Sequence, residues 1–194
     1  MQKSRLVLVT GATTGIGRET ALHLARLGYE VLATGRKAAV LDELKREAEN
    51  LPLETLVLDV NDAASIVAAG AEVDRRTGGR GLDALVNNAG FGLMGPMELV
   101  TEEDLRAQFE TNVVGLVKVT QQFAPAMRRR GDGCIINVSS VLGRMALPLQ
   151  GVYSATKHAV EALTDALRME LGPFGVRVVI VEPGSIRTQF ATTI

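Results

Sequence analysis

Six short runs of branched apolar residues punctuate the chain: Leu6–Val9, Val31–Thr34, Leu56–Leu58, Ala84–Asn87, Ile135–Val138 and Val176–Val181. Stretches of helix length lie between them. The first predicted helix runs through Thr20–Leu27 and stops at Gly28. The second, Ala38–Asn50, carries Val40, Leu41, Leu44 and Ala48 at helical spacing. The strand runs are apolar at successive positions rather than at every second one, as in strands covered on both faces. Strand–helix alternation of this kind predicts an α/β fold with a doubly wound parallel sheet. No linker or repeat divides the chain, so residues 1–194 read as a single domain. In such sheets ligands bind beyond the carboxyl ends of the strands, and unusual residues placed there call for a functional reading.

Charge excludes some partners. Lys plus Arg number 21 against 22 for Asp plus Glu, and a net charge of −1 offers no basic surplus for nucleic acid or an anionic membrane. The one arginine triple, Arg128–Arg130, falls at a predicted helix C-terminus, where it complements the helix dipole. Cys134 is the sole cysteine, so no internal disulfide can form; it reads as a small buried filler in a protein of a reducing compartment. Leu6–Val9 is too short for a signal peptide, and no run reaches the roughly 20 apolar residues of a membrane span. A cytoplasmic protein is expected. His23 and His158 have no ligand array around them, so no metal is expected.

Directly after the first strand comes Thr10-Gly11-Ala12-Thr13-Thr14-Gly15-Ile16-Gly17. Glycines at this spacing permit a tight turn, close backbone approach to a pyrophosphate and close packing of helix on sheet, with helix N-terminal amides facing the anion. After the second strand, where a carboxylate would bind the ribose hydroxyls of NAD, stands Thr34-Gly35-Arg36. A guanidinium matches the geometry of a 2′-phosphate, so NADP(H) is the expected cofactor, with NAD(H) possible; the plain alternative is an Arg36 that faces solvent. Asp59 either accepts from the adenine amino group or caps the helix that follows.

Further along stand Asn87-Asn88-Ala89-Gly90, Ser140 and Tyr153-Ser154-Ala155-Thr156-Lys157. With the TGxxxGxG loop, these motifs resemble the short-chain dehydrogenase/reductase family from Leu6 to Thr188. The resemblance implies a single Rossmann-type doubly wound parallel sheet with helices on both faces. It implies catalytic roles for Asn112, Ser140, Tyr153 and Lys157. It also implies cofactor contacts from Gly11, Thr13, Thr14, Gly15, Ile16, Gly17, Arg36, Asp59, Val60, Asn88, Ala89, Gly90, Tyr153 and Lys157. The segment Pro183-Gly184-Ser185-Ile186-Arg187-Thr188 matches the family's PGxxxT motif, in which Pro183, Gly184, Ile186 and Thr188 would hold the nicotinamide end.

The residues themselves support the chemistry. Tyr153 and Lys157, at i and i+4, share a helix face. A free phenol has a pKa of about 10. A neighbouring ammonium and an oxidised nicotinamide would both lower it, fitting Tyr153 to exchange a proton with a carbonyl or alcohol oxygen. Ser140, 13 residues before Tyr153 as in the family, would hydrogen-bond that oxygen. Ser139 reads as a turn residue bonded to backbone. Asn112, a polar break in the apolar face of a predicted helix Glu102–Met127, either supports a water-mediated proton path, as in the family, or bonds a neighbouring strand.

The segment Asn88–Glu98 and Glu170-Leu171-Gly172-Pro173-Phe174-Gly175 resemble the branch containing 17β-hydroxysteroid and retinol dehydrogenases. Phe91, Leu93, Met94, Met145 and Leu147 either line an apolar pocket, suiting a hydrophobic ketone or alcohol, or serve as core and lid packing. The long helix, with Phe109, Val113, Leu116, Val117 and Phe123, and the Tyr153 helix, with Val160, Leu163 and Leu167, carry more apolar surface than one sheet contact needs. In the family these helices pair subunits, so a homodimer or homotetramer is expected. The family continues past PGxxxT into a substrate loop, a final helix and a seventh strand, whereas here only Gln189–Ile194 follow. The domain is therefore expected to be C-terminally incomplete, with Val176–Val181 left as an edge strand. Two rival readings are a non-catalytic nucleotide-binding interaction protein and a 3-oxoacyl thioester reductase with a basic docking patch.

Overall fold

The computed structural model describes residues 5–186. Its strands and main helices are β1 (Leu6–Val9), α1 (Gly15–Arg26), β2 (Glu30–Gly35), α2 (Ala38–Glu47), β3 (Leu53–Val57), α3 (Ala63–Thr77), β4 (Ala84–Asn87), α4 (Glu102–Phe109), α5 (Leu116–Arg130), β5 (Gly133–Val138), α6 (Gly151–Leu171) and β6 (Val176–Val181). All strand pairs are parallel, in the order β3-β2-β1-β4-β5-β6. The order reverses between β1 and β4, which opens a crevice at their carboxyl ends. Alternate residues of each strand face opposite sides. Val7, Val9, Val31, Ala33 and Val86 pack with Ala21, Leu22, Ala25 and Leu44 of α1 and α2. Leu6, Leu8, Leu32, Leu85 and Ile135 pack with α3 and α5 through Ile66, Val73, Val119, Phe123 and Met127, and with Leu171 of α6.

Coverage of the sheet is uneven. β1 is buried throughout, but β5 alternates buried with half-buried residues, and Val179 and Val181 of β6 are more than two-fifths exposed. Strands covered on both faces were expected along the whole sheet. The expectation fails here because Ile136 and Val138 are only partly covered at the margin of the core cluster. Cys134, on the same face of β5, is half-buried for that reason rather than enclosed, and its partial burial raises the thiol pKa.

Other elements differ from the pattern in informative ways. α1 begins at Gly15, five residues before the apolar periodicity, because the glycine loop itself turns into the helix. The long helix is not uniform: α4 and α5 are joined by a π-helical turn, Glu110–Gly115, and α5 runs on to Arg130. A Cβ on Gly115 would lie 2.9 Å from Val60 Cγ2, so the bulge brings its backbone against the segment after β3. The arginines do sit in the last turn of α5, before Gly131 at φ 74°. Arg130 does more than answer the dipole, donating to Arg80 O at 2.6 Å and Leu82 O at 2.8 Å. Phe123 and Val160, counted above as surplus apolar surface, point inward and are buried. Leu116 is buried as well; the large apolar residues exposed on these helices are Leu105, Val114, Leu163 and Met169, with Phe109, Val113, Val117 and Leu167 half-buried.

A polar chain crosses the apolar interior. Asn87 Nδ2 donates to Thr120 Oγ1 of α5 (3.0 Å) and to Asn137 Oδ1 (2.9 Å), and Asn137 Nδ2 donates to Thr164 Oγ1 of α6 (2.9 Å). Asn87 and Asn137 are register partners on β4 and β5. Among the described residues, no helix is long and apolar enough to cross a membrane, and no three His, Cys, Asp or Glu side chains group as metal ligands.

Candidate active site

The loop after β1 is fixed by the threonine that opens the TGxxxGxG motif. Thr10 Oγ1, buried at the strand end, accepts from the backbone amides of both Asn88 and Ala89 at 3.0 Å. The Asn88 amide donates back to Thr10 O (3.0 Å) and Gly11 O (3.1 Å), so its side chain braces the glycine loop. Gly11 has φ 64°, and a Cβ there would lie 2.8 Å from Ala89 Cα. A Cβ on Gly17 would run into the Asn88 amide and Gly11 O. Two of the three loop glycines are thus required by contact with the loop after β4. Thr14 stands at the N-cap of α1 without a side-chain cap bond, and the first turn holds no acid, which leaves the start of the helix electropositive. Thr13, Thr14, Gly15, Ile16 and Ile186 border a cleft of about 650 Å³ that runs outward past Arg18 to α2.

At the adenosine end, Arg36 is exposed directly after β2. Of the two readings of Asp59, capping is excluded. Asp62 caps α3 by accepting from Ala64 N and Ser65 N, whereas Asp59 Oδ1 accepts from Asn61 N at 2.9 Å. Val60 is buried against Gly115.

Asn112 lies in the π turn, where the widened backbone turns a polar side chain inward; such bulges often occur at functional sites. Its Oδ1 accepts from Phe91 N (3.1 Å), and its Nδ2 donates to Phe91 O (2.9 Å) and Thr156 Oγ1 (3.1 Å). It holds the loop after β4 and the Tyr153 helix together rather than bonding a strand. Gln108, fully buried and not marked by any sequence motif, makes a second clamp: Nε2 donates to Phe91 O (2.6 Å) and Oε1 accepts from Leu93 N (3.2 Å). Gly90 fits beside Asn112, since a Cβ there would lie 3.0 Å from its Oδ1.

Ser140 ends the extended chain after β5 and accepts from Leu142 N at 3.1 Å. Here the sequence reading needs correction. Ser140, not Ser139, makes the turn bond, and Ser139 Oγ is buried with no hydrogen-bond partner among the described residues. Tyr153 and Lys157 are both buried on α6, with Lys157 Nζ 5.6 Å from the tyrosine ring centroid. Burial pushes the Tyr153 phenol above its ordinary pKa, and its hydrogen bond with Ser140 acts in the opposite sense. The phenol expected to be lowered is therefore raised, with burial the larger influence and the Ser140 hydrogen bond the opposing one. Lys157 Nζ donates to Val138 O at 2.9 Å, and burial lowers its pKa to about 8. Val141 N donates to Pro183 O at 3.0 Å and ties the serine loop to the segment after β6. Gly184 and Ile186 are exposed, and Thr188 lies outside the described residues. Met94, Met145 and Leu147, about half exposed at the strand ends, are not core packing.

A family profile described as short chain dehydrogenase matches residues 5–194. The chain belongs to the short chain dehydrogenase family. It is thereby an oxidoreductase of the class acting on CH–OH groups. It is 40% identical over its full length to the uncharacterized oxidoreductase YbbO of Escherichia coli (strain K12), 70% of which it covers. It is 42% identical to human 17-beta-hydroxysteroid dehydrogenase type 1, over 95% of this chain and 58% of that protein. Its backbone superposes with a TM-score of 0.94 on actinorhodin polyketide ketoreductase, a structure with NADPH, at 36% identity, covering all of this chain and 75% of that one. The short chain dehydrogenase resemblance and its steroid branch agree with these similarities, as does the doubly wound sheet.

Proposed function

We propose that the chain interconverts a hydrophobic ketone or aldehyde and its alcohol with NADP(H), and that Tyr153 exchanges the proton. The observation that carries this reading is the meeting of Ser140, Tyr153 and Lys157, all buried, beside the crevice into which the glycine loop opens. The loop fits a dinucleotide: Gly11 and Gly17 let it pack tightly against the loop after β4, and the amides at the start of α1 are available to phosphate oxygens. Gly11, Thr13, Thr14, Gly15, Ile16 and Gly17 would hold the pyrophosphate, and Arg36 the 2′-phosphate. Asp59 and Val60 would border the adenine, Asn88–Gly90 the ribose, and Pro183, Gly184, Ile186 and Thr188 the nicotinamide. NADPH, when bound, supplies the hydride for the carbonyl carbon.

The chain's own residues handle the oxygen. Ser140 Oγ hydrogen-bonds the carbonyl oxygen as charge develops on it, and Tyr153 delivers the proton that completes the alcohol. Lys157 holds positive charge next to the phenol, and Asn112 keeps the loop after β4 joined to α6. Met94, Met145 and Leu147 offer the substrate an apolar surface. A cytoplasmic homodimer or homotetramer, paired through the apolar remnants of α4, α5 and α6, completes the reading.

The test is NADPH consumption with a panel of hydrophobic ketones. Tyr153→Phe is expected to cut turnover by at least about 100-fold while NADPH still binds. A Tyr153→Phe protein with undiminished turnover overturns the reading. A wild-type protein that binds NADPH and turns nothing over favours the non-catalytic alternative, and activity confined to 3-oxoacyl thioesters favours the third. For the cofactor, Arg36→Ala is expected to weaken NADPH by about 10-fold or more with little effect on NADH; equal losses would remove Arg36 from the site.

A further inference from the structure

A buried carboxylate lies one helical turn beyond Lys157 and has no part in the scheme above. Tyr153, Lys157 and Glu161 form an i, i+4, i+8 stripe on α6, and all three are at least nine-tenths buried. Neither Glu161 oxygen accepts a well-aligned hydrogen bond among the described residues. Its one ion-pair partner there is Arg144, with Nη2 2.9 Å from Oε2. Arg144 in turn holds Glu182 at the end of β6, Nε to Oε1 2.8 Å. Gly143 makes room for the carboxylate, since a Cβ there would lie 2.6 Å from Ser139 Oγ and 2.8 Å from Glu161 Oε1. An ionised carboxylate in such a place is costly unless something nearby uses its charge.

We propose that Glu161 is a positioning residue for the reaction: its carboxylate, locked by Arg144, keeps the Lys157 side chain charged and directed against Tyr153. The proposal rests on the functional reading above and adds a residue to it. Among the described residues, the charged and titratable groups around Lys157 are Tyr153 and Glu161 on its own helix, Arg144 from the loop after β5, and Glu182 from the end of β6; Asp165 acts on Arg144. Burial drives Lys157 toward its neutral form, and Glu161 is the one charge that opposes this. A merely structural brace predicts that losing either end of the Glu161–Arg144 pair disturbs Lys157 in the same direction. An electrostatic role predicts opposite directions, because one variant removes a negative charge and the other a positive one.

The chain holds five lysines, so the titration of Lys157 is readable by NMR of protein labelled with ¹³C-lysine, its signal identified by its loss in Lys157→Met. The wild-type midpoint is expected near about 8. Glu161→Gln should bring it to about 7 or below, and Arg144→Met should raise it above the wild-type value. An unchanged midpoint in Glu161→Gln, or shifts of the same sign in both variants, overturns the proposal. Should Glu161→Gln fail to fold, Arg144→Met decides alone: an upward shift supports the proposal, and no shift or a downward one sinks it. The titration requires no substrate, so a wild-type protein without turnover would defeat the proposed reaction and leave this result standing. With turnover, the alkaline limb of kcat should move with the Lys157 midpoint.

Discussion

Lys157 shows how one residue can serve chemistry against the interest of the fold. Its pKa of about 8 in the folded chain lies below the 10.5 of a free lysine, chiefly through burial. Between those values the unfolded chain binds more protons, so stability rises with pH across that window, and below pH 8 the folded protein bears the full cost of the buried charge. That cost is about 3 kcal/mol. Lys157→Met is therefore expected to abolish turnover while raising stability at pH 7, with the gain shrinking toward zero above pH 10.5. Urea unfolding of both proteins at pH 7 and at high pH measures it; a variant less stable at pH 7 would contradict the assignment of cost. Residues named by motif were legible because spacing alone marks them, as with Tyr153 and Lys157. The bracing role of Thr10 was not, because one polar residue ending an apolar strand looks like any strand end. Glu161 was not, because a glutamate within a helix is normally on the surface.

At the scale of elements, the bulge between α4 and α5 sets the geometry of the loop after β4. Phe91 presents its carbonyl to both Gln108, in α4, and Asn112, in the π turn itself. Removing either amide leaves buried backbone groups of Phe91 or Leu93 less well satisfied, a loss of about 1–3 kcal/mol. Asn112→Ala also severs the bond to Thr156 on α6, so it should lower kcat more than Gln108→Ala does at a similar loss of stability. Paired kinetics and thermal melts of the two variants test this, and equal kinetic effects would reduce Asn112 to a loop brace. Sequence placed one helix over residues 102–127 because apolar residues keep helical spacing across the bulge; an extra residue in one turn leaves no compositional mark. Strand positions fared better, since runs such as Leu6–Val9 and Ala84–Asn87 are bounded by polar or glycine residues that end pairing.

For the molecule as a whole, the alternation of apolar strands and helices was enough to read the layered sheet, because covering both faces leaves few other arrangements. Its uneven covering was not readable, since Val178–Val181 is as apolar as the enclosed β1 and only the placement of helices separates them. The half-bare face of β5 and β6, with Val179 and Val181 open to solvent beside an edge that pairs only with β5 among the described residues, is a surface open to non-specific association. Val179→Lys should reduce concentration-dependent light scattering without changing the melting temperature by more than about 3 °C; undiminished scattering would place the sticky surface elsewhere. The asparagines at the heart of the sheet have the opposite effect. Strands built from valine, leucine and isoleucine are nearly interchangeable, and a chain containing six of them must distinguish one neighbour from another as it assembles. Asn87 opposite Asn137, with a threonine waiting on a helix at either side, acts as an address: a strand that arrives one residue out of step, or beside the wrong partner, carries an amide into oil with nothing to greet it.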